Sequence, residues 1–264
     1  MTNLSYQSTI LERCVNHRDE LQTNTNAFSF DSLIKQFPNI PEATAILGKA
    51  GQMPILFDLD DSRPGSIVIV NNHLPSIRKF QTGMMKSLIS FSHPSSFQFV
   101  TLSHYPEKWI ELIQEFDPEF AYCAGVSGDF EKSTEDWIMF LTKKADQRRN
   151  GRNTGPAVIL FIDDFDFVQN LDMHVRININ WLINNGASAR IWIVSGLDLK
   201  KNPEDIEQIE LFKTRIFGQL QPKTASEIKK LVPMNEIDAL FPERNFVTKI
   251  GSNWVRFWAP KLQG

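Results

Sequence analysis

Two stretches of the sequence carry residue types that could handle phosphate and its counterions. In residues 66–91 a short β-branched run, IVIV, precedes the segment PSIRKFQT, and apolar residues then recur at helical spacing from Met84 to Phe91. A strand, a loop and a helix in this order hold phosphate in nucleotide-binding α/β proteins, because the helix N-terminus presents free N–H groups. A working phosphate loop places glycines and a lysine before the helix. This segment instead offers Arg78, Lys79 and Thr82, so it is either an altered anion site or a solvated loop.

The second stretch ends in carboxylates. Residues 157–162, AVILFI, are the strongest buried-strand signal in the chain, since a continuous apolar run is typical of a parallel strand covered on both faces. Asp163 and Asp164 follow at once, and Asp166 comes soon after. These carboxylates could position a water molecule or a metal ion. The alternative interpretation is that they cap the loop after the strand.

A basic cluster is the third candidate. Arg148, Arg149 and Arg152 lie in the segment QRRNGR, at the end of a predicted helix. Arginines in such a group can contact DNA phosphates. A short surface charge run is also commonly just solvated, so both interpretations stay open.

The elements around these residues alternate along the chain, which predicts an α/β fold with a mostly parallel central sheet and helices on both faces. Helices are expected at residues 4–21, 29–37 with Ser29 or Asp31 near its cap, 107–116, 134–149, 176–184, 203–212, and 224–231 with Thr224 as its cap. Strands are expected at residues 53–59, 67–70, 97–102, 119–126, 157–162, 190–195 and 213–220, and a terminal β-hairpin at 246–250 and 254–258. We therefore divide the chain into an N-terminal helical segment with a linker, residues 1–44, and one α/β domain, residues 45–264.

Composition narrows the class of protein. The chain has 264 residues, of which 42% are hydrophobic, enough for one large core. A net charge of -3 gives no overall attraction to nucleic acid. Cys14 and Cys123 lack the spacing of a metal site or a redox pair, which favours buried thiols in a reducing compartment. Because no apolar run reaches the roughly 18–20 residues of a membrane span, we expect a cytoplasmic protein without an integral membrane segment.

The order of these segments resembles the RecA-like P-loop ATPase domain of the FtsK/SpoIIIE family, within the wider FtsK–HerA group. LGKAGQMPILFDL is similar to the strand before the phosphate loop, IVIV to the strand that enters it, and ILFIDDFDFV to the acidic Walker B strand. ASARIWIVS resembles the sensor strand, KTRIFGQL the T-R-I strand, and NFVTKIGSNWVRFWAPKL the terminal hairpin. The match runs through most of residues 45–262. It implies a RecA-like P-loop NTPase fold and a hexameric ring, with Arg215 of the T-R-I strand as a candidate inter-subunit contact.

The departures from the family pattern fall on nucleotide-handling positions. The resemblance places Thr82 on the Walker A Ser/Thr and Gln81 on its lysine, while Phe80 and Pro75 replace glycines. Gln81 offers no positive charge to the phosphates. Phe80 puts a bulky side chain where the backbone must approach the ligand, and Pro75 has no N–H to donate.

The Walker B and arginine positions depart as well. Asp163 matches the magnesium-associated aspartate, but Asp164 replaces the glutamate that orients the attacking water and is shorter by about one methylene. The D-S-R triplet of the family is replaced at residues 224–226 by TAS. The resemblance therefore implies an incomplete arginine-finger system.

These departures predict a degenerate, catalytically inactive FtsK-like ATPase domain without a cofactor, acting as a structural or regulatory subunit of a larger assembly. We expect a homo- or hetero-oligomer, in a ring or docked on an active FtsK/HerA-type relative. The alternative is an active ATP-dependent DNA or protein translocase, in which Arg78 or Lys79 replaces the missing lysine and Asp163 holds Mg²⁺. A third hypothesis, a nucleic-acid-binding module, rests on the arginines at 148–152 and on the fold.

Overall fold

The computed structural model describes residues 28–128, 132–151, 155–200, 206–238, 240–241 and 243–262. The predicted helix at 4–21, Arg152 and the first residues of the predicted helix at 203–212 lie outside the described residues. Within these ranges, no helix combines the length and the apolar character needed to cross a lipid bilayer.

In this described part of the chain, ten strands form one sheet. They are β1 (Thr44–Ala50), β2 (Met53–Asp58), β3 (Ile67–Asn71), β4 (Phe97–Leu102), β5 (Cys123–Ser127), β6 (Ala157–Ile162), β7 (Ile191–Asp198), β8 (Thr214–Phe217), β9 (Asn245–Ile250) and β10 (Asn253–Trp258). Their order is β2-β1-β10-β9-β8-β3-β7-β6-β4-β5. Every pair from β8 to β5 is parallel, whereas the pairs from β8 through β9, β10 and β1 to β2 are antiparallel. The predicted mostly parallel sheet and its C-terminal hairpin are confirmed.

Helices cover both faces of the sheet. They are α1 (Phe30–Gln36), α2 (Leu74–Phe91), α3 (Pro106–Gln114), α4 (Lys132–Arg149), α5 (Asp166–Gln169), α6 (Met173–Asn185), α7 (Ile206–Ile209), α8 (Pro222–Glu227) and α9 (Met234–Ile237). A 3₁₀ turn, Gly186–Ala189, follows α6. The helices α2 and α3 pack on one face of the sheet, and α4 and α6 pack on the other.

The strand β3 shows why the sheet needs both layers. Successive side chains of a strand point to opposite faces. Ile67 and Ile69 belong to the core under α2 and α3, whereas Val68 and Val70 belong to the core under α4 and α6. All of β3 and all of β6 are buried, as their unbroken apolar runs predict for central parallel strands.

The segment LGKAGQMPILFDL contains two strands, whereas the sequence analysis assigned one. The hairpin of β1 and β2 turns at Gly51, whose φ of +58° favours glycine. The Ile46 N–H of β1 donates to the Ser87 hydroxyl of α2 at 2.8 Å, which ties the hairpin to the domain. The strand β1 was missed because Gly48 and Lys49 interrupt its apolar run.

The helix α1 is attached to the C-terminal end of the chain. The Ser29 hydroxyl accepts a hydrogen bond from the Ser32 N–H at 3.2 Å, which confirms the predicted cap. The Phe30 N–H donates to the Lys261 carbonyl at 3.0 Å, and the Lys261 N–H donates to the Phe28 carbonyl at 2.9 Å. The division at residue 44 stays a prediction, because residues 1–27 lie outside the described ranges.

The prediction of a threonine-capped helix at 224–231 is wrong in its start. The helix α8 begins at Pro222, and Gln221 occupies the cap position. Proline suits the first turn because its missing N–H has no partner there. Thr224 lies inside the helix and is buried.

Cys123 is buried in β5 as a free thiol, as predicted. Loss of hydration on burial raises the pKa of Cys123 to about 12. The thiol is therefore protonated at neutral pH and a poor nucleophile. Cys14 lies outside the described residues.

Candidate functional site

The carboxyl ends of four parallel strands meet at one edge of the sheet. The register pairs Asn71 of β3 with Asp198 of β7, and Ile162 of β6 with both Ser195 of β7 and Leu102 of β4. The segments that follow these strands therefore lie together. This edge, which we call the strand-end corner, holds the predicted phosphate and metal residues.

The predicted loop at the strand-end corner is helical. The strand β3 ends at Asn71 and α2 begins at Leu74, so Asn72 and His73 alone separate them in this fully described stretch. The segment PSIRKFQT forms the first turns of α2. The strand–loop–helix prediction is therefore wrong in its loop, and no free backbone segment surrounds a phosphate position between β3 and α2.

The sequence contains the signal for this longer helix. Pro75 lies in the first turn of α2, where its fixed φ suits a helix. Ile77 and Phe80 are buried and precede Met84 at the spacing of one helical face. The apolar pattern begins two turns earlier than the sequence analysis assumed.

Arg78 and Asp163 form a bidentate ion pair at the strand-end corner. The Arg78 Nε lies 2.8 Å from Asp163 Oδ1 and 3.0 Å from Oδ2, and the terminal nitrogen lies 2.6 Å from Oδ2. The Ser103 hydroxyl donates to Oδ2 at 2.8 Å. The Tyr105 ring lies 5.6 Å from the guanidinium carbon and covers it from outside. Both carboxylate oxygens of Asp163 are thus engaged by donors of the same chain.

The Arg78–Asp163 ion pair lies mostly out of contact with solvent. The side chain of Asp163 is 1% exposed and that of Arg78 is 25% exposed. The hydrogen bonds to Asp163 raise the pKa of Arg78 above its ordinary value, against the opposing effect of desolvation. A buried charge that loses its partner is costly, so each member of the pair holds the other in place.

Gln81, which the resemblance places on the Walker A lysine, points into the protein. It is 0% exposed, and its amide nitrogen donates to the Ile162 carbonyl at 2.9 Å and to the Val194 carbonyl at 3.4 Å. The Thr82 hydroxyl donates to the Arg78 carbonyl one turn earlier at 2.8 Å. Gln81 therefore ties α2 to β6 and β7, whereas the Thr82 bond lies within α2.

Phe80, which takes a glycine position of the family pattern, is a core residue. Its ring centroid lies 4.8 Å from that of Phe246 and 6.1 Å from that of Phe257. The side chain is 4% exposed. It joins α2 to the C-terminal hairpin, so the bulk at this position is used for packing.

Gly196 in β7 allows the strand-end corner to close. A Cβ atom at this position would overlap with the Asp163 carbonyl oxygen and lie 2.5 Å from Ile77 Cγ2. The Gly196 carbonyl accepts a hydrogen bond from the Phe165 N–H at 2.8 Å. Glycine is therefore required for the close approach of the segment after β6 and of α2.

The other two aspartates of the acidic stretch are held separately. Asp164 is 1% exposed, and its Oδ1 accepts from the Asp198 N–H at 3.4 Å. Asp166 Oδ1 lies 2.9 Å from His104 Nε2. Within the described ranges, no group of three or more His, Cys, Asp or Glu side chains is placed to hold a metal ion.

Lys79 lies outside the strand-end corner. Its Nζ is 3.7 Å from Glu243 Oε2, and both side chains are more than half exposed. It points to the surface between α2 and the C-terminal hairpin, so the structure does not bring it together with Asp163. Ser103 is the residue of this corner that the sequence analysis missed, although it directly follows the predicted strand at 97–102.

The predicted basic cluster is divided between two roles. Arg148 donates to the carbonyls of Ala189, Arg190 and Pro156 at 3.1, 3.2 and 2.6 Å, and burial lowers its pKa. Arg149 lies over the Trp181 ring at 5.6 Å. Arg148 is therefore a structural cation, Arg149 lies at the surface, and Arg152 lies outside the described residues.

Arg215 is likewise engaged by its own chain. Its Nε donates to the Phe212 carbonyl at 3.0 Å and its terminal nitrogen to the Glu210 carbonyl at 3.3 Å. These bonds secure the turn before β8. An inter-subunit role for Arg215 would require some of them to break.

Comparison with solved structures finds the same fold in ATPase domains. EccC (ATPases 2 and 3) from Thermomonospora curvata, in complex with a signal sequence peptide, matches with a TM-score of 0.69 and 9% identity over 90% of this chain and 44% of that chain. The pCW3 conjugation coupling protein TcpA, in monomer form with ATPγS, matches with a TM-score of 0.62 and 15% identity over 85% of this chain and 68% of that chain. EssC (ATPases 2 and 3) from Geobacillus thermodenitrificans matches with a TM-score of 0.61 and 16% identity over 85% of this chain and 45% of that chain. The chain spans less than half the length of the EccC and EssC chains.

No protein-family model matches the sequence, and no curated protein matches it. The EccC and EssC structures are of ATPases, and the TcpA structure contains ATPγS. At these identities the likeness concerns the fold, and at that level the predicted resemblance is confirmed. Proteins that share a fold can have unrelated functions, so the residues of the strand-end corner decide what this chain can do.

Proposed function

We propose that this chain is an FtsK-like ATPase domain that does not hydrolyse ATP and that serves as a structural or regulatory subunit of a larger assembly. The observation that carries the proposal is the bidentate Arg78–Asp163 ion pair. It occupies both oxygens of the Asp163 carboxylate, which would have to bind Mg²⁺ at this strand end. Since arginine stays protonated in proteins, this internal cation is not removed by a change of pH.

The residues of the strand-end corner do not fit Mg·ATP. Phosphate loops bind through backbone N–H groups that are free of other bonds, whereas here the corresponding segment is the helix α2. The Gln81 amide nitrogen already donates to two main-chain carbonyls, and the Phe80 ring is packed in the core. Binding would require α2 to unwind at its N-terminus and Arg78 to leave Asp163.

The role in an assembly is supported by the relatives of the fold. The EccC and EssC chains each carry an ATPase 2 and an ATPase 3, so domains of this fold occur beside others of their kind. A domain without nucleotide chemistry can still occupy such a position, because association depends on the surfaces that meet and not on catalysis. We include a cytoplasmic location in this proposal.

The test is a nucleotide titration of the purified chain. A fluorescent ATP analogue with Mg²⁺ is added over the usual range of KM values for enzymes, and phosphate release is measured in parallel. We expect no saturable binding, no turnover above a protein-free blank, and no shift of the unfolding temperature by ATP, because a ligand that binds the native state raises it.

Two variants and a control test the alternative function, an active translocase. Asp163→Asn removes the proposed metal ligand, the double variant Arg78→Met with Lys79→Met removes both proposed substitutes for the lysine, and Lys35→Met removes an exposed lysine on α1 as a matched control. Saturable ATP binding with turnover that disappears in the first two variants and survives in the third would overturn the proposal. Unchanged, blank-level turnover in all of them supports it.

A further inference from the structure

The helix α4 carries a symmetric charge pattern on its outer surface. Glu135 and Asp136 come one turn before Met139 and Phe140, and Lys143 and Lys144 come one turn after them. Glu135 and Lys144, and likewise Asp136 and Lys143, are equally far along the chain from the peptide bond between Met139 and Phe140. Reversing the direction of the helix about this point therefore exchanges acidic for basic positions.

The centre of this pattern is apolar and exposed. Met139 is 45% exposed and Phe140 is 51% exposed. The neighbouring helix α6 adds Met173 and Ile177, which are 70% and 57% exposed. The two helices pack side by side, and the Asn178 amide of α6 contacts the Met139 sulfur at 3.4 Å. Half of the eight large hydrophobic side chains that are exposed in the described part of the chain lie in this group, which we call the α4–α6 patch.

The charges beside the patch have no ionic partners within the described residues. None of the four forms a salt bridge there, although Lys144 lies 5.3 Å from the Phe140 ring centroid. The helix dipole explains an acidic first turn. It does not explain lysines at 143 and 144, since the helix continues to Arg149. The pattern thus needs a reason outside the helix itself.

We infer that the α4–α6 patch is the centre of a two-fold interface between two copies of this chain. In a two-fold interface the same surface meets itself, and residue i of one copy faces residue j of the other. Two α4 helices that cross antiparallel at Met139 and Phe140 place the glutamate–aspartate pair of each copy opposite the lysine pair of the other. The exposed apolar side chains are then buried between them.

The charge pattern favours this partner over two others. A nucleic acid would meet Glu135 and Asp136 at the same distance from the patch as the lysines, and like charges repel. A head-to-tail ring joins two different surfaces, so it would leave the internal symmetry of α4 without a use. Burial of the apolar side chains supplies the attraction, and the four ion pairs fix the antiparallel orientation.

The inference names a partner and a surface for the proposed assembly, but its test does not involve nucleotide. Light scattering and sedimentation equilibrium measure the mass of the wild-type chain over a range of concentrations. We expect a reversible change from 30.3 kDa to about twice that mass. A single chain at every concentration, or a mass above two chains, would overturn the inference and leave the ATP result untouched.

Charge variants test the antiparallel orientation. The double variant Glu135→Lys with Asp136→Lys makes both ends of the patch basic, and Lys143→Glu with Lys144→Glu makes both ends acidic. We expect each alone to dimerise at least about tenfold more weakly than wild type, because like charges then face each other. An equal mixture of the two should recover the dimer. Dimerisation of each variant at the wild-type strength, or a mixture that stays monomeric, would contradict the orientation.

A second pair of variants keeps the test informative if a charge variant folds poorly. Met139→Ser with Phe140→Ser removes the apolar centre, and Leu56→Ser changes an exposed leucine on β2 that is 41% exposed and far along the sheet. The first should weaken the dimer and the second should not. Equal dimerisation of both would place the interface elsewhere on the chain.

Discussion

The strand-end corner and the α4–α6 patch both combine opposite charges with apolar side chains, and they use them in opposite ways. At the corner, Arg78 meets Asp163 of the same chain, and Phe80 is packed in the core. On α4, two acidic and two basic residues have no such ionic partner within the described chain, and Phe140 is half exposed. In the first region the opposite charges pair within the chain, whereas in the second they lie on the outer surface of α4.

This difference separates stability from association. An ion pair that is buried within one chain stabilises the fold at any protein concentration. An ion pair between two chains stabilises the fold more as the protein concentration rises, because more of the complex is then formed. We therefore expect substitutions at the corner to change the free energy of unfolding and substitutions on the patch to change the mass of the particle.

The largest effect is expected for Phe80→Gly, the change that would restore a family glycine. Removal of a buried phenyl group costs about 3–5 kcal/mol, and glycine within a helix adds about 1 kcal/mol. Urea denaturation of the purified variant measures this loss. Phe140→Gly is the matched control on α4, where about 1 kcal/mol is expected because the ring is already half exposed. Equal losses at both positions would contradict the comparison.

The next effect concerns the ion pair. Arg78→Met leaves the buried Asp163 carboxylate with Ser103 alone, and we expect a loss of about 3–5 kcal/mol in the free energy of unfolding. The double variant Arg78→Met with Asp163→Leu should recover much of this loss, because an apolar pair leaves no buried charge. Lys143→Met on the patch should change stability by less than about 0.5 kcal/mol. A double variant as unstable as the single one would show that the cost lies in packing.

A smaller effect is expected at Gln81. Gln81→Met removes the donor to the Ile162 and Val194 carbonyls, and the expected loss is about 1–2 kcal/mol. Gln81→Lys should cost more at neutral pH, since burial lowers the pKa of an ammonium group. Its unfolded state then binds more protons than its native state, so its stability should rise as the pH increases from the lowered pKa towards about 10.4. A flat pH profile relative to Gln81→Met would mean that the lysine reaches solvent.

The sequence predicted the sheet better than the corner. A continuous apolar run defines β6, and a run interrupted only by Gln98 and Thr101 defines β4; both strands match their predicted bounds of 157–162 and 97–102. A central parallel strand is recognisable from the sequence because its environment is uniform on both sides. The predicted helix was shorter than α2 because PSIRKFQT contains a proline and several polar residues. The burial of Gln81 could not be predicted because its hydrogen-bond acceptors are carbonyls of two strands distant in sequence.

The meeting of Arg78 with Asp163 could not be predicted from either segment. Each was identified as a candidate for binding phosphate or metal, and the structure brings them onto each other. The two residues are 85 positions apart, and their distance depends on the register of β6, β7 and β3 and on where α2 begins. Because the predicted start of α2 was about two turns too late, residues that form a salt bridge were assigned to a phosphate loop.

The smallest expected effect is also the one that separates the two regions most directly. If α4 joins two copies, a tenfold increase in protein concentration raises the wild-type unfolding temperature by about 1–3 °C through mass action. Met139→Ser with Phe140→Ser should abolish this concentration dependence, and any loss of stability within the single chain should lower the unfolding temperature equally at both concentrations. Arg78→Met should lower the unfolding temperature at all concentrations and keep the dependence. Differential scanning calorimetry at two concentrations distinguishes these outcomes, and a wild-type temperature that does not depend on concentration would remove α4 as an interface while the interpretation of the corner stands.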